Sequence, residues 1–140
     1  MTHKLYLGLG SNLGNREENI RRALALIDER VGSVYRVSSY IETDPVGFSS
    51  PNKFINVVCL VHTMMSPMAC LRETQKIEKE LGRTQKSINP DGSLTYKDRL
   101  IDIDLLTYDQ LVLNTPELTL PHPRMHERDF VLIPLKEIME

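Results

Sequence analysis

The sequence predicts an α/β domain of the α+β kind, one antiparallel sheet packed against helices. Three observations predict it. Segments of alternating or nearly continuous apolar character recur along the chain, two segments with helical spacing separate them, and the order reads strand, helix, strand, strand, helix, strand. Two successive strands after the first helix argue against a repeated parallel crossover. An extra hairpin strand and a C-terminal helix follow.

The first strand is "HKLYLGLG", where Leu5, Leu7 and Leu9 alternate with Tyr6, Gly8 and Gly10 before a Gly/Ser/Asn turn over residues 10–15. From Arg16, the residues Ile20, Leu24, Ile27 and Val31 fall at spacings of four, three and four, which is one face of a helix. Glu17 and Glu18 sit at its N-terminal dipole and Gly32 ends it. "SVYRVSSYIET" alternates as a second strand, and "KFINVVCLVHT" is β-branched and apolar as a third; between them "DPVGFSSPN" is a loop suited to binding groups. "SPMACLRETQKIEKELGR" carries helix punctuation, with Ser66 as N-cap, Pro67 at the first helical position and Gly82 just past the end. Residues 84–98, with Asn-Pro-Asp-Gly and little apolar material, read as a long mobile loop. A strand from Leu100 to Tyr108, a short "LVLN" and a Pro-punctuated turn lead to a last helix from Glu127 to about Ile138. This βαββαβ order is that of a ferredoxin-like sandwich with helices on one face, which leaves the other face to carry a site.

At 140 residues the chain is expected to be one domain, 1–140. With 26% charged residues and a net charge of −2 it has no general basic field, so nucleic acid is an unsuitable partner and any bound anion needs local cations. No run approaches the ~18–20 apolar residues that span a bilayer, and the N-terminal apolar run is too short for a signal peptide. Cys59 and Cys70 lack metal or disulfide spacing and read as buried free thiols, which makes the cytoplasm the expected location.

"GLGSNLG" invites a dinucleotide reading, but Gly8, Gly10 and Gly14 are one residue out of register, so turn geometry and a helix N-terminus are the better account. Within "KDRLIDIDLL", period two puts Asp102 and Asp104 on one sheet face, ~6.5–7 Å apart, and turns Ile101, Ile103 and Leu105 toward the helices. Two carboxylates at that spacing can hold divalent cations against substrate phosphates; equally, they can be a solvated strand face. Arg99 stands at the mouth of this strand, and Arg83, Lys86 and Lys97 flank the preceding loop. That arrangement suits a phosphoryl-transfer lid and also suits ordinary solvated charge. "LPHPRMHERDF" places His122, Arg124, His126, Arg128 and Phe130 within nine residues, readable as anion contacts by His122 and Arg128 or as a basic surface turn. Gln75 and Glu78, three apart, share one face of the second helix.

Five blocks in order, "YLGLGSNLGNREENI", "ETDPVGFSSPNKFINVV", "TQKIEKELGR", "DRLIDIDLL" and "LPHPRMHERDFVLIPL", together resemble the 6-hydroxymethyl-7,8-dihydropterin pyrophosphokinase family of folate biosynthesis over nearly the whole chain. The resemblance implies transfer of pyrophosphate from MgATP to the 6-hydroxymethyl group of the pterin, giving AMP and the pterin diphosphate. It implies that Asp102 and Asp104 hold two Mg²⁺ ions, with Asp102 or Asp104 near the attacking hydroxyl and Asp102 counted among the substrate contacts. Asn56 would read the pterin edge, Thr43, Asp44 and Val46 would form the loop that hydrogen-bonds it, and Phe54 and Phe130 would sandwich its ring. Gln75, Glu78, Arg99, Thr119, His122 and Arg128 match positions around ATP, and Arg83 matches a mobile-loop arginine that joins Arg99 in the catalytic set. The chain departs from the family in "TYKDR", which lacks the Gly-Pro usual before the strand arginine and offers Tyr96 as the aromatic lid in place of the usual tryptophan, at Gln85 in place of a second loop arginine, and at Glu117 in place of an ATP-site arginine. The implied partners are small molecules, not nucleic acid or membrane, acting on a monomer; association with other folate-pathway enzymes is left open. Two rivals stand beside this reading: a metal-dependent phosphotransferase with another acceptor, and a non-catalytic ferredoxin-like module that binds a nucleotide or pterin.

Overall fold

The structure is a computed structural model that describes residues 2–44, 52–82, 87–88, 94–95 and 100–139. Its elements in chain order are β1 (His3–Ser11), α1 (Arg16–Arg30), β2 (Ser33–Val37), β3 (Ile41–Thr43), β4 (Phe54–Thr63), α2 (Pro67–Glu80), β5 (Ser87–Ile88), β6 (Leu94–Thr95), β7 (Asp102–Tyr108), β8 (Leu113–Asn114), β9 (Thr119–Leu120) and α3 (Asp129–Ile138), with a 3-10 turn at Met125–Glu127.

The main sheet is antiparallel in the order β2-β4-β1-β7, and β3 also pairs with β4. The first and third strands of the βαββαβ unit are therefore central, as a ferredoxin-like sandwich requires. Side-chain caps open the first two helices, at Ser66 as the sequence punctuates it and at Asn15, the last residue of the predicted turn. Asn15 accepts the Glu18 N–H at 3.1 Å to open α1, and Ser66 accepts the Ala69 N–H at 3.2 Å, with Pro67 next in line, to open α2. Beyond α2, Gly82 adopts φ 104°, a left-handed conformation that a side chain would strain.

Alternation sorts the sheet into two faces. Leu5, Leu7 and Leu9 of β1, Val57, Cys59 and Val61 of β4, and Ile103 and Leu105 of β7 pack with Ile20, Ala23 and Ile27 of α1 and Cys70 and Ile77 of α2. Each fully buried aliphatic there contributes on the order of 1.5–3 kcal/mol by leaving water. Cys59 and Cys70 are both buried and free, in keeping with their sequence reading. Burial pushes the Cys59 thiol up to about 12, against a backbone hydrogen bond to Leu7 that acts the other way.

On the opposite face Tyr6, Val58, Leu60 and Leu106 form a second core with Met125 and with Val131, Leu135 and Ile138 of α3. The expectation of a wholly free face is thus corrected. The apolar stripe of α3 needs a partner, and the even-numbered residues of β1, β4 and β7 supply it over one half of the sheet.

Three further expectations are revised. "SVYRVSSYIET" is two strands because Ser38 interrupts it: Ser38 N–H donates to the Val58 carbonyl at 2.8 Å, and Ser38 Oγ accepts the Val58 N–H at 2.9 Å. A side chain there takes a place that a backbone carbonyl would hold in a continuous ladder. Ser39 then donates from both N–H and Oγ to Glu137 of α3, at 2.9 and 2.7 Å. Within the stretch read as loop, β5 and β6 pair antiparallel. The last helix is preceded by the 3-10 turn and begins at Asp129 rather than Glu127. "LVLN" does form a hairpin strand, as β8 pairs with β9.

Candidate active site

The half of the sheet face that α3 leaves uncovered is built from the register of three strands. Gly10 lies between Asn56 of β4 and Asp102 of β7, and Gly8 lies between Val58 and Asp104. The two aspartates therefore stand beside two residues with no side chain. Both carboxylate residues are half-buried, with a shallow glycine floor next to them. The glycines are not equivalent. A Cβ at Gly10 would come within 3.0 Å of Asn56 Oδ1 and 3.4 Å of Phe54 Cδ1, whereas one at Gly8 would meet Leu106 at an ordinary 3.5 Å.

Asn56 is 7% exposed, and its Nδ2 donates to Thr43 Oγ1 at 2.6 Å. This bond fixes the amide plane across the β3–β4 pair and leaves the Asn56 carboxamide oriented for a flat, polar edge. The mouth of this corner is held by Arg16, which donates to the Lys53 carbonyl at 2.9 Å and pairs with Glu42 at 2.9 Å, and by Asn12 Nδ2, which donates to the Asn52 carbonyl at 3.2 Å.

The segment after β9 brings the basic groups. The His122 N–H donates to the Leu106 carbonyl at 2.8 Å, which lays the chain along the outer side of β7. His122 Nδ1 accepts the Arg124 N–H at 3.2 Å, so the neutral ring carries its proton on Nε2. Burial, and after it the Arg128 and Arg124 charges, hold the His122 pKa below its ordinary value, while Asp102 pulls it back up. His122, Arg128 and Asp102 thus sense one another. The Arg128 guanidinium sits 5.5 Å from the centre of the Phe130 ring, and Phe130 packs on the edge of the second core.

Of the residues singled out in sequence, the structure gathers Asp102, Asp104, Asn56, Thr43, Phe54, His122, Arg128 and Phe130 on or beside this face. Asp44 is exposed at the end of β3, 4.0 Å from Lys53 Nζ, and Thr119 lies on β9 opposite Asn114. Gln75 and Glu78 part company: Gln75 is exposed, and Glu78 is only 5% exposed. Val46, Arg83, Arg99, Gln85, Lys86, Tyr96 and Lys97 lie outside the described residues. What the sequence reading missed is the floor. The signal was present, since Gly8 and Gly10 alternate in phase with Tyr6 and opposite to the leucines.

Among the described residues no three His, Cys, Asp or Glu side chains gather into a cage for a metal. Mg²⁺ needs none, because it takes one or two carboxylates and fills its remaining positions with water and phosphate oxygens. The Asp102 and Asp104 oxygens fit that use.

Fold and site together define an α+β protein that offers paired carboxylates, an amide and basic side chains to a small polar ligand. The model of the 7,8-dihydro-6-hydroxymethylpterin-pyrophosphokinase (HPPK) family matches residues 6–140. A 2-amino-4-hydroxy-6-hydroxymethyldihydropteridine pyrophosphokinase of Porphyromonas gingivalis is 46% identical over 135 residues, which cover 96% of this chain and 89% of that protein. Its counterpart in Bacillus subtilis is 40% identical over 141 residues, covering all of this chain and 80% of the other. In fold, a crystal structure of Plasmodium falciparum HPPK-DHPS aligns with TM-score 0.78 at 15% identity; it covers 99% of this chain, which spans only 42% of that longer one. The chain belongs to the HPPK family. No helix among the described residues is long and apolar enough to cross a membrane.

Proposed function

We propose that residues 1–140 form a single pyrophosphokinase domain that transfers the terminal pyrophosphoryl group of ATP to 6-hydroxymethyl-7,8-dihydropterin in folate biosynthesis. The hydroxyl oxygen attacks the β-phosphorus, the bond from that phosphorus to the α–β bridging oxygen breaks, the hydroxyl proton is lost, and AMP departs with the electron pair. The observation that carries this reading is the pairing of Asp102 and Asp104 with Gly10 and Gly8 on the half of a sheet face that α3 does not cover, in a chain of the HPPK family.

Asp102 and Asp104 would hold two Mg²⁺ ions with the ATP phosphates. When bound, such ions neutralise phosphate oxygens and lower the pKa of a coordinated hydroxyl. Asn56 and Thr43, already joined by a 2.6 Å hydrogen bond, would read the pterin edge together with Asp44 and Val46, and Phe54 and Phe130 would stack on its ring. The closeness of Phe54 and Asn56 to Gly10 supports this corner as the pterin side. His122 and Arg128 would face the phosphates, with Gln75, Glu78 and Thr119 completing the ATP side. Arg83 and Arg99 would neutralise equatorial oxygens as charge develops. The chain's work is then mainly positioning and electrostatics, which suits phosphoryl transfer. The reading extends to a monomer acting in the cytoplasm.

AMP formation is the test. AMP should appear from ATP only when the hydroxymethyl-dihydropterin and Mg²⁺ are both present. AMP or ADP made without the pterin would point to another acceptor, and pterin binding without any AMP would point to a non-catalytic binding module.

A further inference from the structure

Glu78 is a carboxylate that the fold buries. It lies on α2 beside Thr74 and Ile77, both buried, and is itself only 5% exposed. Burying a carboxylate is costly unless it is well hydrogen-bonded. Glu78 Oε2 accepts the backbone N–H of Ile103 at 2.7 Å, a short bond. Ile103 is the residue between Asp102 and Asp104.

The position of β7 gives this bond its consequence. Among the described residues β7 ends the strand order β2-β4-β1-β7, and it starts at Asp102. One of the two carboxylate residues is therefore the first residue of an edge strand, the place where a sheet frays most readily. In an antiparallel ladder successive N–H groups point to opposite sides. With the Ile103 N–H turned outward to Glu78, the flanking residues turn their backbones inward, toward their register partners Gly10 and Gly8. This bond from α2 thus pins the middle of the Asp-Ile-Asp unit and supports both carboxylates in their spacing.

We propose that Glu78 is a positioning residue, whose buried carboxylate anchors the Ile103 amide so that Asp102 and Asp104 are held ready to bind metal. This rests on reading that pair as the metal ligands. It gives Glu78 a role through β7 in addition to its place on the ATP side.

The test uses the full chain, Glu78→Ala and Glu78→Gln, with two readouts: amide hydrogen exchange at Ile103 by NMR, and the Mg²⁺ concentration that half-activates AMP formation at saturating ATP and pterin. In the wild type the Ile103 amide should be as protected as those of β1. In Glu78→Ala it should exchange at least ~100-fold faster, and half-activation should need ~10–100-fold more Mg²⁺, the usual cost of losing an outer support of a metal site. The KM for pterin should stay within about twofold, because the Asn56 corner is untouched. Glu78→Gln keeps an acceptor oxygen and should recover most of both effects. An unprotected Ile103 amide in the wild type would overturn the proposal, and so would a Glu78→Ala variant that raises only the KM for ATP. Should Glu78→Ala not fold, wild-type protection and the Glu78→Gln half-activation decide alone. The exchange arm needs no activity, so failure of the anchor and failure of the metal reading remain distinguishable.

Discussion

The two faces of β1 follow one backbone and one alternation yet do opposite things. Leu5, Leu7 and Leu9 enter a closed core under α1 and α2; Tyr6 enters the smaller core under α3; and Gly8 and Gly10, on the Tyr6 side, keep side chains away from Asp104 and Asp102. The difference teaches how a small sheet is divided. One face is spent entirely on stability, and the other is split crosswise, with α3 sealing the end near Tyr6 and the glycines opening the end near Asn56. The site borrows rigidity from the packed face through β7, whose Ile103 and Leu105 are buried while Asp102 and Asp104 are partly exposed.

Substitutions on the two faces should separate accordingly. The largest effect belongs to the packed face. Ile103→Ala should cost about 2–5 kcal/mol by removing a buried side chain and leaving a cavity, read as a lower urea midpoint with an unchanged slope. A loss below about 1 kcal/mol would mean that this face is less tightly packed than described. On the open face, Gly10→Ala should raise the KM for pterin about tenfold while Gly8→Ala moves it little, because only the Gly10 Cβ would crowd Asn56 Oδ1 and Phe54. Equal effects at the two glycines would sink that distinction.

Smaller again is the His122 titration. Its native pKa lies below the ordinary 6.5, chiefly through burial and the Arg128 charge. The native state therefore binds this proton less readily than the unfolded chain. The stability that His122 contributes is present above pH 6.5 and is lost as the pH falls from there through its lower native pKa. An NMR midpoint at or above 6.5 would contradict this environment. Last, Cys59, with its thiol pushed up to about 12, should stay unmodified by a thiol reagent at pH 8 until the chain is unfolded.

Much of this was legible in the sequence where a period had one partner to satisfy. The leucines of β1 and the stripe of α1 had only each other to bury, and the Asp102/Asp104 alternation could fall on one face only. The rest depended on contacts between distant segments. Nothing local to "FVLIPLKEI" says which face α3 will cover, since both faces of β1 offer apolar residues. The break at Ser38 needs Val58 and Glu137 to be seen, and neither is near it in sequence. Gln75 and Glu78 share a helical spacing, yet depth is set by β7 lying over one and not the other, so spacing alone could not tell an exposed side chain from a buried anchor.

The division of the sheet is tested most directly by the Asp102→Ala and Asp104→Ala variants, each assayed for AMP formation with ATP, hydroxymethyl-dihydropterin and Mg²⁺ and each melted in parallel. Turnover should fall at least ~10³-fold, the scale of losing electrostatic stabilisation at the transferring group, while the urea midpoint stays near that of the wild type because neither side chain belongs to a core. Turnover within about threefold of the wild type in both variants would contradict the account, as would a loss of activity explained by unfolding alone.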